Sequence, residues 1–260
     1  VTLARAVDLN SDLGESYGRW TLGDDAAMVE HITSANLACG LHAGDFDVMD
    51  ATVGLCKRAG VGVGAQPSYP DLQGFGRRSM KLTPSEVEQC VLYQIGAVYG
   101  FCRAHGLDLQ HVKPHGALYN DAAAEPAVAL AIARGVARFS RDLPLVGLAG
   151  SAAFAEAAAE ARLRLVPEAF ADRRYTPEGR LQSRSEPGSL LTDPDEAAAQ
   201  ALRLVCEGQV QAHDGTLVAV RAASICFHGD TPGAPAIVAA ARTRLEAAGV
   251  AVRPIRDLPA

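Results

Sequence analysis

Asp8-Leu9-Asn10-Ser11-Asp12-Leu13-Gly14-Glu15 carries an apolar strand signal straight into a cluster of acids and amides. The same transition recurs down the chain. Short runs rich in Val, Ile, Leu and Ala, at Ala4 to Leu9, Ser34 to Ala38, Val61 to Ala65, His111 to Lys113, Leu145 to Leu148, Leu163 to Val166 and Ser224 to Phe227, read as strands, with an eighth at Val250 to Pro254. Segments of helical period fill most of the gaps, which is the order of repeated β/α units. Thr83 caps the clearest helix, with Pro84 at its first position and Glu86 completing a capping box. Asp193-Pro194-Asp195-Glu196 repeats that logic, and Gly208 stops the helix that follows. Asp214-Gly215 between Gln209-Val210-Gln211-Ala212 and Thr216 to Val220 marks a β-hairpin inserted near 208–222. No linker or compositional break divides residues 1–260, so one α/β domain is expected.

The polar segments at the strand ends decide between a closed barrel and an open sheet. They are Asp8 to Glu15, then Asn36 and Cys39-Gly40-Leu41-His42-Ala43-Gly44-Asp45, then Gln66 to Asp71, Lys113 to Asn120, Gly150-Ser151, Glu168 with Asp172-Arg173-Arg174, and His228-Gly229-Asp230. An open sheet concentrates its chemistry at one switch point, whereas closure brings the first and last strands together and gathers all these groups at one mouth. The reading is a β/α barrel of seven strands, or of eight with the last irregular.

Composition bounds the function. The 260 residues are 48% hydrophobic and 21% charged, enough for a large core and too apolar for disorder. A net charge of −6 with no Lys/Arg block argues against nucleic acid as a partner. No apolar stretch reaches the ~20 residues of a bilayer span, and Val1 to Leu9 carries no signal-peptide h-region, so a cytoplasmic protein is expected. The six cysteines stand singly and read as reduced, buried thiols.

Several strand-end residues have the chemistry of a site. Asp12 and Glu15 repel each other in one short turn unless a positive group lies between them; Asp8 and Asn10 serve equally well as loop caps. His42, among glycines, pairs with Asp45 for proton transfer. Lys113 and His115 flank Pro114, and together suit polarising a carbonyl or holding a phosphate. His228-Gly229-Asp230 repeats the imidazole, glycine and acid of the second loop. His31, His105, His111 and His213 read as surface or capping residues. Gly74-Phe75-Gly76-Arg77-Arg78 and Arg173, Arg174 and Arg184 suit either an anion clamp or a solvated surface. Gly147 to Ser151 opens a helix without the lysine of a Walker motif.

Asp8 to Glu15, Ser34 to Asp45, Val112 to Asn120 and Ile225 to Asp230 resemble the LamB/YcsF family, and Pro70-Asp71 to Arg78 and Phe170-Ala171-Asp172-Arg173 extend the resemblance over nearly the whole chain. It implies a seven-stranded β/α barrel of the glycoside hydrolase/deacetylase type. It also implies one component of a prokaryotic 5-oxoprolinase, the A component, working with subunits B and C to convert 5-oxo-L-proline, ATP and water to L-glutamate, ADP and phosphate, with ATP as cosubstrate alongside Mg2+. One departure stands out: where many relatives read Ala-His-Pro, this chain has Ala65-Gln66-Pro67 and lacks that imidazole.

On this reading Asp12 is the base, His42 and Asp45 a second proton-transfer pair, Lys113 the oxyanion or phosphate stabiliser, and His115 or His228 the acid toward the leaving nitrogen. Arg173 or Arg184 clamps the substrate carboxylate, with Asn10, Glu15, Asn36, Gln66, Asn120 and Asp230 lining the substrate site. The rivals are a metal-dependent hydrolase or deacetylase, with Asp12, His42 and His115 holding a divalent ion at the barrel mouth, and a non-catalytic component that presents substrate to partners.

Overall fold

The computed structural model describes residues 6–184 and 186–259. Ala4 and Arg5 of the expected first strand lie outside them. In chain order the elements are β1 (Ala6–Leu13), α1 (Asp25–Met28), β2 (Ser34–Ala38), α2 (Phe46–Ala59), β3 (Gly62–Gln66), α3 (Pro84–Ala104), β4 (His111–Val112), α4 (Gly116–Ala124), α5 (Pro126–Phe139), β5 (Leu145–Leu148), α6 (Ala152–Ala161), β6 (Leu165–Phe170), α7 (Pro194–Glu207), β7 (Gln209–Gln211), β8 (Leu217–Ala219), β9 (Ser224–Phe227), α8 (Ala234–Ala247) and β10 (Ala251–Val252).

Seven parallel strands run β1-β2-β3-β4-β5-β6-β9, and β9 pairs back onto β1, closing the barrel. The eighth strand exists but stays outside the ring: β10 pairs only with Ala6 and Val7 at the start of β1, while β9 takes Asp8 to Ser11 and β2 takes Asn10 to Leu13. Helix signals hold where their chemistry is local. Thr83 and Glu86 form the capping box of α3, Asp193 caps α7, and β7 and β8 make the antiparallel hairpin. No helix of the described residues is long and apolar enough to cross a membrane.

Two strands run further than their apolar runs. β1 continues to Leu13 and β6 starts later and continues to Phe170, past Pro167, which reads locally as a strand end. The cause is a polar lumen. Alternation along β1 sends Val7, Leu9 and Leu13 to the helical layer, and Asp8, Asn10 and Asp12 to the axis. Asn10 Nδ2 donates to Glu168 Oε1 at 2.9 Å, joining β1 to β6, and His111 Nε2 lies 2.8 Å from Asn36 Oδ1, joining β4 to β2. Neither pair of strands is adjacent, so both bonds cross the barrel. At the lower end Asp8 accepts from Thr33, Ser34 and Ser224. Thus Asp8 and Asn10 are interior groups rather than loop caps, and His111, expected at the surface or in a cap, is fully buried.

The lumen has room for these side chains because β3 contributes almost none. A Cβ on Gly64 would lie 2.2 Å from His111 Nε2. Gly64→Ala is therefore expected to lower stability by about 1–3 kcal/mol, as overpacking against a pinned ring does; urea unfolding measures it. Burial lifts Asp8 from 3.8 to about 6. The folded chain then binds this proton more tightly than the unfolded one, so the stabilisation is complete below about pH 4 and lost as pH rises through about 6. In Asp8→Asn that segment of the stability–pH curve, about 3 kcal/mol by linkage, is expected to vanish.

Candidate active site

The carboxyl ends of the barrel strands open into a cleft of about 980 Å³, lined among others by Asp12, Lys113, His115, Arg173, Arg184 and His228. At its floor Lys113 Nζ lies 2.7 Å from Asp12 Oδ1, with both side chains buried, and Asn36 Nδ2 donates to the same oxygen at 2.9 Å. Glu168 Oε1 stands 3.8 Å from the ammonium. Burial alone would raise Asp12, but Lys113 overrides it and holds the carboxylate far below its usual range. Asp12 in turn holds Lys113 charged against the cost of its own burial. Glu168, buried and only loosely paired, is pushed up to about 7.

Beside this pair is a cluster of opposite character. The rings of His42 and His115 stack at 3.9 Å, and Phe75 meets both edge-on. Glu15 Oε1 lies 3.8 Å from His42 Nε2 and 3.6 Å from His115 Nδ1, too far for hydrogen bonds. Burial lowers both imidazoles, His115 to about 4, which favours their neutral forms, and burial followed by the charge of Asp12 raises Glu15 well above the usual carboxylate range. Glu15 Oε1 and both His42 nitrogens have no hydrogen-bond partner. His115 Nε2 lies 3.0 Å from the Phe75 carbonyl, to which it donates, leaving Nδ1 unprotonated toward the cluster. Phe75 reaches this position at φ 55, left-handed backbone that a bulky residue seldom adopts. Gly44 permits the neighbouring loop, since a Cβ there would stand 2.7 Å from the Gly14 carbonyl.

A third group comes from β6 and β9. His228 Nδ1 lies 3.1 and 3.0 Å from the two oxygens of Asp172, which also accepts from the His228 backbone N–H and from Thr231 Oγ1. Phe170 stacks on the ring at 5.4 Å. Arg173 is buried, donates to the Gln182 carbonyl and leaves Nε without a partner; burial, then the charge of Arg184, lowers it to about 10. Asp230 joins Arg77 and Arg184 across the cleft. Burial holds the Cys226 thiol protonated, which removes its nucleophilic form.

The structure thus gathers Asp12, Glu15, His42, Lys113, His115, Arg173, Arg184, His228 and Asp230 at one mouth, with Asn120 exposed on its wall. Other expected site residues are arranged differently. Asp45 caps α2 and accepts from the N–H groups of Val48 and Gly18, at 2.9 and 2.5 Å, instead of pairing with His42. Asn10 and Asn36 lie inside the barrel beneath the mouth, where they position Glu168 and Asp12. Gln66 ends β3 fully buried, with both amide atoms unpartnered. The buried donor set is Glu15, His42 and His115, whose ligand atoms fall within 4.8 Å of one another; Asp12, expected in that set, is held by Lys113. Sequence reasoning assigns no site role to Asp172, Glu168 or Phe75, and it reads His111 as a surface or capping residue. Alternation is a usable signal for His111, two residues before Lys113 on one strand face, whereas nothing local marks Phe75.

A profile of the LamB/YcsF family matches residues 7–260. Proteins named as the A component of 5-oxoprolinase, from Chloroflexus aggregans and Pyrococcus furiosus, are 54% and 51% identical to it, over 95% and 96% of this chain and 98% of each relative. A crystal structure of a lactam utilization protein from Thermus thermophilus superposes with a TM-score of 0.91 at 52% identity, covering 96% of this chain and 100% of that one. With the closed seven-stranded barrel, these matches settle the family: the chain belongs to the LamB/YcsF family.

Proposed function

We propose that this chain is the A component of an ATP-dependent 5-oxoprolinase, opening the lactam of 5-oxo-L-proline to L-glutamate in concert with subunits B and C. The observation that carries the reading is the buried Asp12–Lys113 pair on the floor of an arginine-walled cleft, together with relatives named for this activity. An unstrained lactam is a poor electrophile, and phosphorylation of its oxygen by ATP makes the ring carbon attackable. Water then adds to that carbon, the C–N bond breaks as the nitrogen gains a proton, and a second water hydrolyses the acyl phosphate so formed, releasing phosphate and L-glutamate.

Lys113, kept charged by Asp12, faces the oxygen that becomes anionic, where a fixed charge in a dry site stabilises most. Asp12 is a poor proton acceptor under Lys113, so its work is to hold that ammonium rather than to act as base. One of the imidazoles gathered at the mouth, His42, His115 or His228, accepts the proton of the attacking water. An arginine of the Arg173 and Arg184 wall takes the substrate carboxylate, and His228 protonates the leaving nitrogen. No Walker motif is present, so ATP, with Mg2+, is assigned to a partner or an interface. Six free thiols agree with the reducing cytoplasm.

A second reading has its own support. Glu15, His42 and His115 form an N2O donor set with orphaned buried atoms and an outer hydrogen bond from His115 to Phe75, which fits zinc or a similar ion. Such an ion would lower the pKa of bound water, as in metal-dependent hydrolases.

Glutamate and ADP release from 5-oxo-L-proline and ATP is expected only when the chain is combined with the partners that copurify with it; no glutamate under any condition would sink the lactam reading. Asp12→Asn is expected to cut that turnover roughly 100- to 10,000-fold with the fold intact by circular dichroism. Metal analysis of protein purified without chelator tests the second reading: a stoichiometric ion lost in His42→Ala supports it, and metal-free wild type removes it.

A further inference from the structure

The three imidazoles at the mouth are not equivalent. His42 has no partner on either nitrogen, and His115 spends its N–H on a neutral backbone carbonyl. His228 alone has a carboxylate on its ring. Asp172 is fully buried, and its oxygens are occupied by the His228 Nδ1, the His228 backbone N–H and the Thr231 hydroxyl. A buried carboxylate facing Nδ1 fixes the tautomer with the proton on Nδ1 and the lone pair on Nε2, and it compensates the positive charge when Nε2 takes a second proton. Phe170 stacked on the ring holds its plane, and His228 lines the cleft.

We propose that Asp172 is a positioning residue that makes His228 the proton carrier of the site, with Nε2 facing the cleft. In the lactam reaction, on which the kinetic part of this inference rests, Nε2 takes a proton as the O–H bond of the attacking water breaks, and returns it as the C–N bond breaks and an N–H bond forms on the departing nitrogen. The ring is restored without net gain or loss of a proton, and Asp172 stays ionised throughout. His42 and His115 lack a carboxylate in hydrogen-bond contact and are left to the Glu15 cluster.

The direct test is nitrogen-15 NMR of the histidine side chains in the intact chain, with His228→Gln assigning the signal. The expected result is an Nδ1-protonated His228 in the wild type that loses this tautomer preference in Asp172→Asn. An Nε2-protonated ring in the wild type, or one unchanged in Asp172→Asn, overturns the proposal. This readout needs no turnover, so it is decided separately from the lactam reading. In the assembly that releases glutamate, Asp172→Asn is expected to lower kcat by roughly 100-fold or more while KM for the lactam changes little; a wild-type kcat, or a loss confined to KM, counts against the role. Should Asp172→Asn fail to fold, Thr231→Val removes one of the bonds that fix the carboxylate and is expected to lower kcat several-fold, by roughly the worth of one hydrogen bond to a charged group; an unchanged kcat and an unchanged His228 signal overturn the proposal.

Discussion

The alternation of β1 places Asp8, Asn10 and Asp12 one above another on the barrel axis, and the rest of the molecule is arranged around that polar column. Buried polar groups are costly unless each finds a partner. The partners come from both sides and from across the lumen: Ser34 and Asn36 from neighbouring β2, Ser224 from neighbouring β9 and Glu168 from β6 across the barrel, while His111 from β4 holds Asn36. A one-residue slip of any of these strands would turn its polar set toward the apolar helices and leave the others unpaired. The column therefore specifies register as firmly as an apolar core would, and it forces β3 to carry glycine where His111 crosses.

Satisfaction changes along the axis. At the bottom Asp8 is surrounded by hydroxyls, and in the middle Asn10 and Asn36 are bonded to their neighbours. At the top the unpartnered atoms appear: Glu15 Oε1, both nitrogens of His42, the Gln66 amide and one N–H of Arg173. Gln110 Oε1 is open at the lower end as well, but the concentration of open imidazole, carboxyl, amide and guanidinium atoms at one concave place marks that place as built to meet a ligand. The two carboxylates of β1 and its following turn also separate by environment. Asp12, under an ammonium, is held far below the usual carboxylate range, while Glu15, pushed by burial and then by the charge of Asp12, is raised well above it. Pushing two acids apart in this way is how a single site obtains both an anion and a proton donor.

Much of this is legible along the chain. The barrel follows from polar clusters at nearly every strand end, and Asp12, His42, Lys113, His115, His228 and Arg173 do converge. The eighth strand is legible as a strand but not as an outsider, because its place depends on β9 and β2 already taking Asp8 to Leu13 of β1. Asp45 looks like a partner for His42 three residues away, yet the start of α2 turns it to backbone N–H groups. Asp172 is 56 residues from His228, and no local pattern reports a pairing of that kind.

Neighbours along the chain set the strand and helix periods, the Thr83 and Asp193 caps, the hairpin turn, and the delivery of acids, imidazoles and an ammonium to the strand ends. Their charge states and partners are set by contacts that exist only once the barrel has closed. Desolvation and Coulomb interactions depend on distance in space, and closing the barrel brings to within a few ångströms groups that lie about a hundred residues apart, such as Asp12 and Lys113.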